Sequence, residues 1–404
     1  MASGLKGIKT VRDLETTGKV VFLRLDLNVP MENGKIMDEN RITASLPTIR
    51  YLMEKGAKIV MCSHLGRPKS EADREFSLEP VATRLSELLN SEVILWEDIL
   101  SDGIKSLLHN MKKNELILLE NVRFLPGETK DSEELAQAWA SYAEVYVNDA
   151  FGASHRAHAS IHALPQLMKV KGVGMLIEKE INFLDSLLEN PRRPYLAVLG
   201  GSKVSDKIAV IEKLLDIVDG FIIGGAMAYT FLKAKGNAVG KSLVEKDRLS
   251  FAKMLIDRVE ARNKTLLLPV DHVVSASIKD AKDAHVTTDV SISDNEMGLD
   301  IGPKTIRLYT TALNEAATIF WNGPMGVFEV PEFSKGTFAI AEAMAANKGM
   351  KVVGGGDSAA AAEASGFADQ MTHISTGGGA SLEYLQGDKL PGLEILRTKV
   401  RPPA

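Results

Sequence analysis

The sequence predicts an α/β fold in which a doubly wound parallel sheet occurs twice. Three observations predict it. Short β-branched apolar runs alternate with helical patterns along the chain, the rhythm of strand–helix–strand units. The runs are apolar on both faces, as strands covered by helices on both sides must be. The chain has 404 residues, too many for one ordinary core and enough for two.

In the first half the strand-like runs are 20–25, 58–62, 116–119 and 145–147. In the second half they are 196–199, 221–223, 266–270, 318–321 and 352–353. Between the halves, Ile177, Ile181, Leu184 and Leu188 recur at helical spacing, and the pattern stops at Asn190–Pro191, as helices do before proline. The predicted organisation is a first domain over 1–173, an interdomain helix over 174–190 and a second domain over 191–388. The tail 389–404 is too short for a domain and is expected to pack back on the first.

Composition narrows the function classes. Lys plus Arg total 48 against 53 Asp plus Glu, a net charge of -5. That balance argues against a surface built wholly for nucleic acid and leaves room for a local basic pocket. A single cysteine, Cys62, excludes an intramolecular disulfide and a thiolate metal cluster. The longest apolar stretch, 220–232, is broken by a glycine pair and falls short of the ~20 residues of a membrane span. With no secretory pattern at the N-terminus, the expected location is cytoplasmic.

In a parallel sheet, ligands meet the carboxyl ends of the strands. In the first half those ends carry Asp26 and Asn28 at period two, then Arg41; SHLGRP with His64 and Arg67; ENVRF with Arg123; and DAFGASHRAHAS with His155, Arg156 and His158. Guanidinium forks match carboxylate and phosphate, so arginines at several strand ends point to a small, multiply charged anion. His155, His158 and His162 are spaced to share a helical face. Without an HExxH glutamate or a cysteine, a metal site there is the weaker reading.

In the second half, VLGGSKVSDK sets Lys203 and Lys207 after a strand and a glycine pair. A helix start near Ser202 would put both lysines on one face near its N-terminus. FIIGGAMAYTF, with Gly224 and Gly225, repeats the form, as do VVGGGDSAAAAEA, with Asp357 and Ser358, and HISTGGGASLEYL. Four such loops in one lobe point to nucleotide phosphates. KGNAVGKS is not a phosphate-binding Walker loop, because its glycines are one residue too close.

LRLDLNVP, SHLGRP, ENVRF, DAFGASHRAHAS, GGSKVSDK, WNGPMGVFE, GGGDS and STGGGAS stand in the order found in phosphoglycerate kinases, and from about Val20 to Leu382 the chain resembles that family. The resemblance implies two Rossmann-like lobes with a cleft between them; because in-line transfer needs near contact while ligands must enter and water be excluded, the lobes are expected to close by hinge motion. It implies phosphoryl transfer from 1,3-bisphosphoglycerate to ADP with Mg2+, by a protein expected to be a monomer. By motif position, Asp26, Leu27, Asn28, Arg41, His64, Leu65, Gly66, Arg67, Arg123 and Arg156 would hold the phosphoglycerate. Lys203, Lys207, Gly224, Gly225, Gly298, Glu329, Gly355, Gly356, Asp357 and Ser358 would hold the nucleotide, with Asp357 on the metal. Arg41, Lys203 and Gly378 would serve the transferring group. Ser202 and Ser358 stand where many members carry alanine and threonine. Two other readings share the fold class: a nicotinamide-dependent dehydrogenase, which lacks its GxGxxG and following acid, and a non-catalytic bilobal binding protein.

Overall fold

A computed structural model describes residues 4–70, 72–112 and 115–398. The chain divides into two compact units: one holds the chain up to Asn182 with the returning segment from Asp388, the other is Phe183–Gly387. The division falls inside helix α2 (Met175–Leu188).

In the first unit, β1 (Val20–Leu25), β2 (Lys58–Cys62), β3 (Val93–Trp96), β4 (Leu116–Leu119), β5 (Val145–Asp149) and β6 (Val170–Val173) form a parallel sheet in the order β3-β4-β2-β1-β5-β6. Strands β3 and β6 were not expected from the sequence. Both are sheet edges and only partly buried; β6 carries Lys171 and Gly172 and does not read as an apolar run, whereas β3 is an unbroken apolar run, VILW, that the strand pattern above passed over. On β1, Val21, Leu23 and Leu25 pack against Ile42, Leu46 and Ile49 of helix α1 (Asn40–Glu54). The opposite face carries Phe22, with Tyr146 stacked 6.3 Å away, and then Arg24, fully buried. Cys62 ends β2, fully buried, and burial pushes its thiol up to about 12.

In the second unit the elements are β7 (Tyr195–Leu199), β8 (Gly220–Ile223), β9 (Thr265–Leu267), β10 (His272–Ser275), β11 (His285–Val286), β12 (Met297–Ile301), β13 (Thr318–Asn322), β14 (Met350–Val353) and β15 (His373–Ile374). Six make a parallel sheet, β9-β8-β7-β13-β14-β15, and three an antiparallel sheet, β11-β10-β12. The expected strand 266–270 stops at Leu267, because Pro269 has no N–H for the ladder. The antiparallel sheet was not expected; its strands are short, and β11 is exposed.

Asp149, at the end of β5, accepts the N–H groups of Leu176 and Ile177 through Oδ1 at 2.9 and 3.1 Å, capping the first turn of α2. Burial pushes its carboxyl up to about 7. The returning tail bonds within the first unit: Gly392 N–H to Ser154 O at 2.9 Å, Asn148 Nδ2 to Gly392 O at 3.2 Å and Thr398 N–H to Gly7 O at 2.8 Å. The part of the expected tail segment beyond Thr398 lies outside the described residues.

Three glycine turns of the second unit press backbone on backbone. Gly225 sits at φ +64, and a Cβ there would lie 2.5 Å from Gly201 N and 2.8 Å from Pro324 O. Gly225→Ala should therefore cost about 2–4 kcal/mol of stability, as positive φ and overpacking act together. Guanidinium unfolding checks this, and a parental midpoint would show that the turns relax freely.

Candidate functional site

The four neighbouring strands β4, β2, β1 and β5 run parallel, so the segments that follow them emerge along one edge. After β1, Asp26 Oδ1 accepts from Arg41 at 3.0 Å, and the same guanidinium reaches Asn28 O at 3.1 Å. After β2, Gly66 donates its N–H to Asn28 Oδ1 at 2.7 Å and accepts from Arg123 at 2.5 Å. A Cβ on Gly66 would meet the Phe76 ring at 2.3 Å, and its φ is +59, so glycine is required there. Leu27 and Leu65 hold this frame through backbone: Leu27 N–H to Ser63 Oγ at 2.8 Å, and Leu65 N–H and O to the Asn121 side chain at 3.2 and 2.7 Å. After β5, Arg156 Nε donates to His155 Nε2 at 3.1 Å.

The electrostatics carry the same message. His64 is 4% exposed, and its imidazole is held well below the usual histidine range, by burial first and then by Arg24, Arg123, Arg41 and Arg156. Arg123 is itself brought down to about 10, by burial first, then Arg156 and Arg24. Four guanidinium groups thus act on one ring, and the buried Nε of Arg123 has no hydrogen-bond partner. Such an arrangement of cations suits an anionic ligand. Arg67 is exposed and enters none of these hydrogen bonds.

Sequence reasoning missed the buried half of this arrangement. Arg24 lies 3.8 Å from Glu128, and both side chains are fully buried. Arg24 Nε donates to Ser160 Oγ at 2.7 Å; that hydroxyl donates to Glu128 Oε1 at 2.7 Å, and Ser160 N–H to Oε2 at 2.9 Å. The available signal was the period-two series Arg24, Asp26, Asn28, whose first member stands inside an apolar strand. The three histidines do not share a helical face: only His162 lies within the Ala159–Ala163 turn, and it bonds Asp131 at 2.7 Å.

In the second unit the turns after β7, β13 and β14 meet around Asn322. Lys207 Nζ donates to Asn322 Oδ1, Asn322 Nδ2 donates to Gly354 O at 2.5 Å, and Gly323 N–H donates to Ser358 Oγ at 2.5 Å. Burial holds the Lys207 ammonium below its usual range, with Asp206 and Asp357 opposing. Asn322 was within a recognised motif but was given no role. Asp357 is exposed in the first turn of helix α3 (Gly356–Ala364), and no group within 4 Å would meet a Cβ on Gly356. Gly355 has φ +94 and a Cβ there would strike Asn322 Nδ2 at 2.6 Å. Gly378, before helix α4 (Gly379–Gln386), has φ +53 and ψ −115 with open space around it.

Other placements differ from expectation. No helix starts near Ser202. Glu245 accepts the N–H groups of Val204 and Ser205 and the Ser205 hydroxyl, so the turn opens at Val204 and Lys203 lies before it, exposed. Those amides are already satisfied by a carboxylate. Gly224 and Gly298 have packing reasons of their own: a Cβ would strike Met325 Sδ at 2.3 Å and the Tyr229 hydroxyl at 1.8 Å. Glu329 is exposed on the segment after β13.

Comparison with known proteins follows the same lines. The family model described as phosphoglycerate kinase matches residues 11–388. A phosphoglycerate kinase of Bdellovibrio bacteriovorus is 72% identical over 401 residues, covering 99% of this chain and 100% of the relative. One from Clostridium botulinum (strain Alaska E43 / Type E3) is 53% identical over 390 residues, covering 96% and 98%. Among solved structures, phosphoglycerate kinase from Coxiella burnetii is similar with TM-score 0.87 and 42% identity, covering 96% of this chain and 98% of that one. The enzyme from Pyrococcus horikoshii OT3 is similar with TM-score 0.82 and 35% identity over the same shares.

Because the folded His64 has a lowered pKa, its neutral form is the one the fold favours. That contribution to stability is fully present above the unfolded value of about 6.5 and is lost as pH falls below it. The ring resonances of His64 in the ligand-free protein should stay still as pH falls from about 8 through the ordinary histidine value of about 6.5. An NMR titration midpoint near 6.5 would mean that neither burial nor the arginines depress it.

Proposed function

Because the chain belongs to the phosphoglycerate kinase family, we propose a division of that family's reaction between the two ligand faces described above. The chain is a phosphotransferase that interconverts 1,3-bisphosphoglycerate plus ADP and 3-phosphoglycerate plus ATP. The dehydrogenase and binding-protein readings are not favoured. The observation that carries the division is the field of four arginines on His64 in one unit, against the Lys207–Asn322–Gly354 chain with Asp357 in the other.

In this reading Asp26, Asn28, Arg41, His64, Arg67, Arg123 and Arg156, with the backbone at Leu27, Leu65 and Gly66, hold the acid. Lys207, Ser358 and the turn at Gly355–Gly356 hold the nucleotide phosphates, Glu329 and Gly298 border the nucleoside, and Gly224 and Gly225 shape the turns between them. A single exposed carboxylate at a helix start, within reach of Lys207, fits a magnesium ion that keeps its waters and shares its ligands with substrate phosphates. Asp357 would hold that ion, which when bound supplies positive charge to the phosphate oxygens.

The protein's own contribution follows from the chemistry. The 3-phosphoglycerate carboxylate is ionised near neutral pH and attacks without a general base. Its oxygen forms the new bond to the γ-phosphorus as the bond to the bridging oxygen breaks, and ADP leaves with that electron pair. Charge spreads over the equatorial oxygens of the transferring group. Lys203, Arg41 and the helix-start backbone near Gly378 neutralise it there. Lys203 is free to do so because it lies outside the turn that Glu245 caps.

A coupled assay of ATP-dependent turnover of 3-phosphoglycerate tests the reading. Lys203→Ala should lower kcat by about 10³ while the KM for either substrate changes little; near-parental kcat in a folded variant would remove Lys203 from the transfer. Asp357→Asn should raise the magnesium concentration needed for half-maximal nucleotide binding, and coincident titrations of variant and parent would rule Asp357 out as the ligand. Finally, reacting atoms must come within about 3–3.5 Å, so ligands held by separate units must be brought together during turnover. The radius of gyration measured by small-angle scattering should fall with both 3-phosphoglycerate and a non-reactive ATP analogue bound; an unchanged value at saturation would refute closure.

A further inference from the structure

We propose that Arg24 is a positioning residue that fixes the tautomer of His64, so that this histidine presents Nε2–H, a neutral hydrogen-bond donor, to the acid substrate. The inference rests on the reading that His64 faces the acid, and it gives a positioning part to a residue that this reading leaves outside the set holding the acid. The Arg24 guanidinium Nη2 lies 3.3 Å from His64 Nδ1. Arginine carries only donors and stays charged in proteins, so Nδ1 must accept. A neutral imidazole that accepts at Nδ1 carries its proton at Nε2.

The alternatives each fail on the same geometry. With the proton on Nδ1, the ring would aim N–H at N–H across 3.3 Å and offer the Nε2 lone pair to an anion. With both nitrogens protonated, a further cation would stand among Arg24, Arg123, Arg41 and Arg156. Burial and those four charges keep the ring neutral, which leaves the Nε2–H form. Among the described residues, His64 Nε2 has no hydrogen-bond partner, and it is not among the buried polar atoms sealed from solvent without one. It is therefore available to a ligand.

Arg24 is well held for this task. Its Nε is fixed on Ser160 Oγ at 2.7 Å, another arm donates to Leu25 O, and the buried Glu128 carboxylate lies 3.8 Å away and balances its charge. The side chain is fully buried, so it orients the ring without being exposed to the anion. The consequence is selectivity by charge state: a neutral donor rewards an ionised acid while adding no further repulsion to the cations already in the pocket.

Histidine-selective two-bond ¹H–¹⁵N correlation on the ligand-free protein, with His64 assigned by its loss in His64→Gln, reads the tautomer directly. The expected pattern is Nε2–H near neutral pH. A Nδ1–H or doubly protonated pattern overturns the proposal without any Arg24 variant. Arg24→Met should turn the signal into a tautomer mixture and weaken 3-phosphoglycerate binding about tenfold, measured by titration calorimetry, while ADP binding is unchanged. Arg24→Lys, which keeps a donor, should restore the Nε2–H pattern and most of the affinity. If Arg24→Met keeps both the parental tautomer and the parental affinity, Arg24 does not position the ring. If the tautomer follows Arg24 but saturating 3-phosphoglycerate leaves the Nε2 resonance unmoved, the placement of His64 against the acid fails and the control by Arg24 stands.

Discussion

A pocket for a multiply charged anion must hold cations together before the anion arrives, and the first unit is organised around that constraint. Two unit charges 4 Å apart repel by about 4 kcal/mol at an effective dielectric of 20. The lowered pKa values of His64 and Arg123 record that repulsion together with burial. The fold meets it by burying counter-charges, Asp26 against Arg41 at 3.0 Å and Glu128 deeper still. Glu128 sits behind the pocket with two hydrogen bonds from Ser160 and Arg24 at 3.8 Å. Removing one member of such a buried pair typically costs about 3–5 kcal/mol, because the other is left uncompensated. Arg24 and Glu128 are therefore foundation rather than contact surface.

The second unit meets the opposite requirement, that backbone come close to backbone. The turns after β7, β8 and β13 interlock where no side chain fits: Gly200 against Pro324 O at 2.1 Å, Gly225 against Gly201, Gly323 against Gly200 O at 2.3 Å, each distance measured from the position a Cβ would take. Asn322 ties this cluster to Lys207 on one side and to Gly354 on the other. The glycine pairs thus serve two ends that look alike in a sequence. Some let neighbouring turns touch, and others, such as Gly356 and Gly378, leave open space at a helix start.

That ambiguity explains much of what the sequence did and did not disclose. The central strands were legible because strands buried on both faces are continuous apolar runs. The edge strand β6 and the antiparallel sheet were not, since partial exposure mixes polar residues into them; β3 was legible as the apolar run VILW and was passed over. The arginines at strand ends were legible because position in a parallel sheet gives them a common direction. Arg24 escaped because a strand interior is the place where charge is least expected. Glu245, 41 residues from the Val204 amide it caps, carries no local pattern at all. Only the folded chain brings that carboxylate to the lysine turn, and it moves the helix start away from Ser202.

The returning tail has a consequence for synthesis. The first unit is completed by residues beyond Gly387, which supply partners to Asn148, Ser154 and Gly7. A ribosome making the chain at about 5–20 residues per second must first emit the 205 residues of Phe183–Gly387, a delay of roughly 10–40 s. Throughout that interval the nascent first unit has a buried asparagine and two carbonyls awaiting their partners. The second unit, contiguous in the chain, has no such debt and can close as soon as it emerges. The portion translated first is thus the last to be sealed, and a chaperone that shields partly finished domains has its longest opportunity on the segment holding the arginine pocket.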